Sequence, residues 1–342
     1  MGATQSHSTQ SVDADVVDGS IGVLWVPDWP IVAAIAEGEL PGHLPSVLCH
    51  NSRVQAVSAQ ARRLGIRVGM SKRTAQSLAP DLVAGQDNPV QRVRAFEPVM
   101  NAVEQVVANA VILRPGLVMF GAKGAVNFHG GQNQLGERLL GAAAHAGVEA
   151  HVGVAVGILP AILAARHSAF IPPQRTRAFL YPHPVGAILH AATTSGAWRE
   201  YKEVISSWEK LGLTRVGDVA RLDRGVVAAR FGRVGVEAHR LAQGLGWVDL
   251  NDEQAGERVQ VGSDIDPPAQ RVDTAAFIAR NLAQQLHDAL IRRGLACHSL
   301  RVVALTEAGE RHDRSWRLEG VPKVGEVTDR VRWQLSGWLE GR

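Results

Sequence analysis

A basic run with chemically useful charge lies between Lys210 and Arg240. There Lys210, Arg215, Arg221, Arg224, Arg230, Arg233 and Arg240 stand against Asp218, Asp223 and Glu237, so seven cations and three anions leave +4. Guanidinium groups suit phosphate oxygens because they offer paired N–H donors. Inside the run, Gly232-Arg233-Val234-Gly235 is a candidate helix start, where free backbone N–H groups can point at a phosphate. By composition alone this run reads more readily as a solvated helix face. A second basic set, Arg292, Arg293, Arg301, Arg311, Arg314 and Arg317, lies near the C terminus and is offset by Glu307, Glu310, Asp313 and Glu319. One long interval has no acidic chemistry: no Asp or Glu occurs between Glu104 and Glu137. Cys49, Cys297 and the thirteen histidines show no metal-ligand spacing, so neither a metal nor another cofactor is expected.

The elements that must position these residues belong to a chain of 342 residues, 46% hydrophobic and 20% charged, which predicts two or three globular domains. The net charge is only +3, so nucleic-acid binding has to rest on local clustering. Two distant cysteines imply no disulfide framework and make the reducing cytosol the default compartment. Residues 1–20 are polar and read as a disordered arm rather than a signal peptide. Apolar runs such as Val152–Ala165 are too short and too interrupted to span a bilayer.

Periodicity predicts a strand at Ile21–Val26, a helix at Ile31–Leu40, strands at Val47–His50 and Val54–Ser58, and helices at Ala59–Leu64 and Ser71–Leu78. A long helix is expected over Pro89–Asn109, then strands at Val111–Leu113, Val118–Phe120 and Ala125–His129. Helix Leu135–Ala146, strand Ala150–Val156 and helix Pro160–His167 follow. Four prolines in Ile171–Pro184 mark a linker, and Ala187–Gly246 reads as helical. A polar connector at Asn251–Gly256 leads to strand Arg258–Ile265, helix Thr274–Arg293, strands His298–Leu305 and Arg314–Leu318, and helix Val324–Leu339. The class is α+β, with helices packed on a mainly antiparallel sheet.

This order of units resembles the Y-family, or lesion-bypass, DNA polymerases. Val54–Gly69, VQAVSAQARRLGIRVG, resembles their fingers segment. Val152-Gly153-Val154-Ala155, with Ala161 and Ala164-Ala165, is similar to the late palm strand and its following helix. Leu211-Gly212-Leu213, Val216-Gly217-Asp218 and Arg230-Phe231-Gly232 resemble the thumb. The resemblance implies a palm at 21–32 and 96–170, inserted fingers at 33–95, a linker and helical thumb at 171–250, and a little finger at 257–342 lacking its last strand. It turns the reading of the 210–240 run towards DNA, with Lys210, Arg215, Arg230, Gly232, Arg233, Gly235, Arg292, Arg293, Arg301 and Arg314 as the expected contacts. The first thumb hairpin departs from the pattern, because Gly196–Lys202 carries no Gly-x-Gly.

Such polymerases hold two divalent metals on three carboxylates. By resemblance, Lys123 and Gly124 replace the Asp-Glu pair, and Pro27 replaces the N-terminal Asp. Asp28 follows one residue later, and a one-residue shift could bring it into register. Arg62 matches a triphosphate-contacting residue, while Ala59, Val32 and Ile162 replace the fingers Tyr, the ribose-excluding residue and a palm Lys. The combined loss resembles the inactive ImuB-like subunits of the bacterial mutasome. It implies a non-catalytic scaffold that binds primer-template or single-stranded DNA, with an error-prone replicative-type polymerase, a RecA-like accessory protein and the sliding clamp as partners. Clamp contacts are expected mainly beyond residue 342, and the location is cytoplasmic, at the nucleoid. The alternative is a weak polymerase using Asp28. Gln334-Leu335-Ser336-Gly337-Trp338-Leu339 resembles a clamp-binding peptide, yet Val327, Val331, Leu335, Trp338 and Leu339 recur at helical spacing and predict a packed helix.

Overall fold

The computed structural model describes residues 16–245, 258–269, 271–318 and 320–340. The first described strand, β1 (Ser20–Trp25), is buried on both faces and runs into helix α1 (Trp29–Ala36). Strands β2 (Ser46–His50) and β3 (Arg53–Val57) form a hairpin, followed by α2 (Ala59–Arg63), α3 (Lys72–Leu78) and β4 (Val83–Gln86). These make a small sheet of order β3-β2-β4, in which β4 runs parallel to β2. Ser58 and Ser71 cap α2 and α3 by accepting from Ala61 N and Thr74 N.

The chain then returns through α4 (Pro89–Arg94), α5 (Glu97–Glu104), β5 (Val111–Arg114), β6 (Leu117–Gly121), α6 (Ala122–His129), α7 (Gln132–His145), β7 (His151–Val156) and α8 (Ile158–Arg166). The expected long helix from Pro89 is two helices, broken at Ala95-Phe96 where Pro98 enters the next first turn. The strand expected at Ala125–His129 is α6 instead: Gly130, at φ 79, ends a helix there rather than a strand.

Ile171–Pro184 is not a bare linker. It holds a 3-10 turn (Pro173–Arg175) and α9 (Thr176–Leu180), and the chain continues through a 3-10 segment (Val185–Ala191), α10 (Ser195–Lys210), α11 (Val216–Ala220) and α12 (Arg224–Ala242). The connector Asn251–Gly256 lies outside the described residues. Arg258–Ile265 forms no strand. The last unit is α13 (Val272–Arg293), β8 (Ser299–Leu305), β9 (Arg311–Arg317) and α14 (Val324–Glu340).

The six-stranded sheet has the order β7-β1-β6-β5-β9-β8. Its left part is antiparallel, and β9 joins β5 in parallel through Ile112 opposite Trp316. The last unit therefore extends the main sheet, so the boundary expected at residue 257 does not separate two sheets. Alternation sorts β1 between two cores: Ile21 and Val23 pack with α8 and the helices after it, while Leu24 and Val26 pack with α5 and α7. Gly153 allows a close approach of α8 to β7, since a Cβ there would lie 2.0 Å from Ala165 N. Among the described residues, no helix is long and apolar enough to cross a membrane.

A buried polar hub ties the last unit to α5. Arg314, on β9, donates to Glu97 Oε2 at 2.7 Å and Asn101 Oδ1 at 2.9 Å, and pairs with Glu104. Gln334, on α14, donates to Glu97 Oε1 at 2.6 Å and accepts from Trp316 Nε1 at 3.2 Å. Burial alone would lower the Arg314 pKa, but the Glu104 and Glu97 carboxylates more than offset it and hold it above its usual value.

Candidate functional site

A two-metal site needs its carboxylates at one place, and strand register tests whether the matched residues converge. Trp25 lies opposite Leu117, and Ile21 lies opposite Gly121. Pro27 is therefore beyond one end of the β1–β6 pair, and Lys123 and Gly124 are beyond the other. The paired stretch alone separates them by about 14 Å. Lys123 instead bonds Asp18 at 2.9 Å, just before β1 begins. Lys123 and Gly124 thus do not share a site with Pro27, which corrects the sequence alignment.

The residues that face Pro27 are the Pro115-Gly116 turn between β5 and β6. Val26 N donates to Gly116 O at 2.8 Å, and Gly116 (φ 86) would place a Cβ 2.3 Å from Trp29 Cβ. No larger residue fits that turn beside α1. The turn carries neither Asp nor Glu, and the interval between Glu104 and Glu137 still supplies none. Asp28 is the carboxylate beside it. Its backbone is left-handed (φ 49), its side chain does not cap α1, and Arg62 Nη1 donates to its Oδ1 at 3.1 Å while Arg62 Nη2 bonds its Oδ2.

Cations surround this end of the sheet. Arg166, at the last turn of α8, lies 4.2 Å from the Trp25 ring centroid, and Trp25 stacks with His151. Burial lowers the Arg166 pKa; Asp28 partly restores it and Arg62 lowers it further. Arg114 is half-buried and donates to His190 O at 3.1 Å and Ala192 O at 3.4 Å. Burial, then Arg166, brings its pKa down to about 10. Burial together with Arg166, Arg114 and His183 brings His190 down to about 4. The sequence reading missed Arg114, Arg166 and His190, because their meeting depends on the hairpin turn and on the 185–192 segment folding over it. Three guanidinium groups and one engaged carboxylate do not fit a pair of divalent metals. Among the described residues, no three His, Cys, Asp or Glu side chains gather to hold a metal.

The expected DNA contacts divide. Gly232 (φ 59, ψ −155) breaks α12 into two helices, and Arg230, Gly232 and Arg233 are exposed at the break. The second helix starts at Arg233 with its backbone donors at this break. Arg233 also bonds Glu237 at 2.6 Å. Lys210 is exposed at the end of α10, and Arg215 is exposed but donates to Pro182 O at 2.8 Å. Gly235 is not at the surface: a Cβ there would lie 2.2 Å from Phe231 Cβ, so it serves helix packing. Arg314 is likewise withdrawn from the set, being 3% exposed inside the Glu97 hub. Arg292 and Arg293 are exposed at the end of α13. Arg301 lies on the exposed face of β8 with Val303 and Leu305, paired to Asp313 at 2.9 Å, while Leu300 and Val302 face the core. The clamp-like peptide is helical, with Gln334 fully buried.

The fold, a main sheet with an inserted small-sheet unit and a following helical unit, is polymerase-like. Residues 32–166 match the family described as "impB/mucB/samB". The DNA polymerase IV of Methanoculleus marisnigri is 25% identical over 198 residues, covering 56% of this chain and 52% of that protein. The DNA polymerase IV of Neisseria gonorrhoeae is 28% identical over 131 residues, covering 38% and 34%. The chain thus spans about half, or less, of the length of these relatives. Among solved structures, an insertion ternary complex of Dbh DNA polymerase superposes with a TM-score of 0.52 at 15% identity, covering 94% of both chains. DinB from Sulfolobus solfataricus gives 0.50 at 14%, with the same coverage. Over residues 32–166 the chain is similar to the impB/mucB/samB family, and it has the fold of the Y-family DNA polymerases.

Proposed function

We propose that the protein is a non-catalytic DNA-binding scaffold of translesion synthesis and damage-induced mutagenesis. The observation that carries this reading is the Pro27, Pro115 and Gly116 end of the main sheet. It offers one carboxylate, Asp28, which is already held by Arg62, and it adds Arg114 and Arg166. Two divalent metals would meet a cationic surface there, without the negative charge that has to hold them. A weak polymerase using Asp28 is the other reading; the Arg62 pairing counts against it, because the carboxylate would have to leave its guanidinium for a metal.

DNA is held through phosphates by the exposed Arg230, Gly232 and Arg233 at the break in α12, with Lys210, Arg215, Arg292, Arg293 and Arg301 around it. Such contacts position the chain without reading sequence. As a scaffold it contributes by raising the local concentration of its partners at a damaged primer end. Those partners are an error-prone replicative-type polymerase, a RecA-like accessory protein and the sliding clamp, in the cytoplasm at the nucleoid. Primer extension with magnesium or manganese tests the central part. Incorporation abolished by Asp28→Ala would favour the polymerase instead.

A further inference from the structure

Strand β8 ends the main sheet, and among the described residues no strand pairs with its outer edge. The alternation of the β8–β9 ladder says which groups that edge offers. Thr306 N donates to Glu310 O at 2.9 Å and Leu318 N to His298 O at 3.2 Å, so the even-numbered residues of β8 bond towards β9. Arg301, Val303 and Leu305 therefore turn their N–H and C=O groups outward. Long edges are normally blunted by Pro, Lys or a bulge. β8 carries none of these, and its register with β9 runs unbroken from Ser299 to Leu305. Its open face is apolar where solvent favours polar groups, with Val303 44% and Leu305 71% exposed. Such an edge is a template for another strand.

We propose that β8 pairs antiparallel with β8 of a second copy of this chain, about a two-fold axis through Ala304. The chain's own sequence selects this occupant and this register. With Ala304 opposite its counterpart, Val303 faces the second copy's Leu305, and Arg301 faces the second copy's exposed Glu307. The two-fold repeats each match, so apolar and oppositely charged pairs both occur twice. An axis through Val303 would set each guanidinium opposite a Leu, and one through Val302 would leave each Leu305 opposite a Ser. An axis between two residues would set outward-bonding residues against inward-bonding ones. The Ala304 register satisfies the free backbone groups, covers the apolar side chains and joins the two sheets into one.

The test is sedimentation of the full chain at concentrations up to about 100 μM, where the pairing should populate a dimer. Leu305→Lys introduces the cation that normally blunts an edge, and it should raise the dimer dissociation constant by about tenfold or more. Leu305 is exposed, so the variant is expected to keep the melting midpoint of the natural chain. Ala304→Cys tests the register and decides alone if Leu305→Lys does not fold. Across the axis its two Cα atoms would lie about 4.5 Å apart in a non-hydrogen-bonded pair, within disulfide range. Mild oxidation should therefore give a covalent dimer faster than in the natural chain, whose Cys49 is buried and Cys297 partly buried. A dimer weakened by Leu305→Lys and trapped by Ala304→Cys supports the pairing. A monomer at every concentration, a dimer indifferent to Leu305→Lys, or cross-linking no faster than in the natural chain overturns it, whatever other protein the edge then takes.

Discussion

Breaking the buried hub around Glu97 should release the last unit from the main sheet. Arg314 is 3% exposed and serves Glu97 and Glu104 together, while Glu97 also accepts from Gln334. In Arg314→Leu, Glu97 keeps its burial and loses its cation, the case in which a removed partner costs most, about 3–5 kcal/mol. Glu104 is 39% exposed and can turn to solvent, so it adds little. The loss should fall on β9, which meets β5 through the one Ile112–Trp316 pair. Global unfolding of a chain this size need not be two-state, so hydrogen exchange is the better assay. Amides of Arg311–Arg317 should exchange about two to four orders of magnitude faster, while β1 and β7 remain protected. Adding Glu97→Leu should recover part of the loss, because the stranded charge goes. Acceleration of less than about tenfold in the single variant would refute the hub as the tie.

Other outcomes follow from the same contacts. Charge reversal at Arg230 and Arg233 should weaken DNA binding on every sequence and flatten the log–log salt dependence by about 0.9 per duplex phosphate lost; binding titrations at several salt concentrations check this, and unchanged affinity would place the DNA surface elsewhere. His190 is held at about 4 against an ordinary 6.5, so it folds neutral while the unfolded chain takes up its proton. Its share of stability is full above pH 6.5 and is lost as pH falls towards 4, on the order of 3 kcal/mol in total. Denaturation midpoints across that window should fall more steeply in the natural chain than in His190→Leu, and parallel curves would contradict the assignment.

Much of the fold was readable because its strongest elements follow one rule each. The buried runs Ile21–Val26 and Ala150–Val156 are β1 and β7, and the periodic stretch Thr274–Arg293 is α13. Two assignments failed, and one strand went unassigned, for local reasons. Ala125–His129 is apolar enough for a strand, but Gly130 and Gly131 cap it as a helix. Pro98 splits the stretch from Pro89, and Val83–Gln86 is too short to declare itself until β2 offers a parallel edge. The candidate site was legible as an absence, since the acid-free interval survives any alignment. Its location was not, because antiparallel register sends Lys123 and Pro27 to opposite ends of β1. Nor could spacing show Arg166 meeting Asp28, or Arg314 turning inward. Both depend on side chains more than one hundred residues apart, brought together by the sheet.

The central claim concerns chemistry at the Pro115-Gly116 turn, and primer extension tests it most directly. Purified chain is incubated with a primed template, all four deoxynucleotides, and magnesium or manganese, over enzyme concentrations reaching excess over DNA. The account predicts no added nucleotide under any of these conditions, and none in Asp28→Ala, while the same samples still retard the DNA in a gel. Metal-dependent extension by the natural chain that disappears in Asp28→Ala would contradict it. Asp28 would then be a working ligand and Arg62 its resting partner.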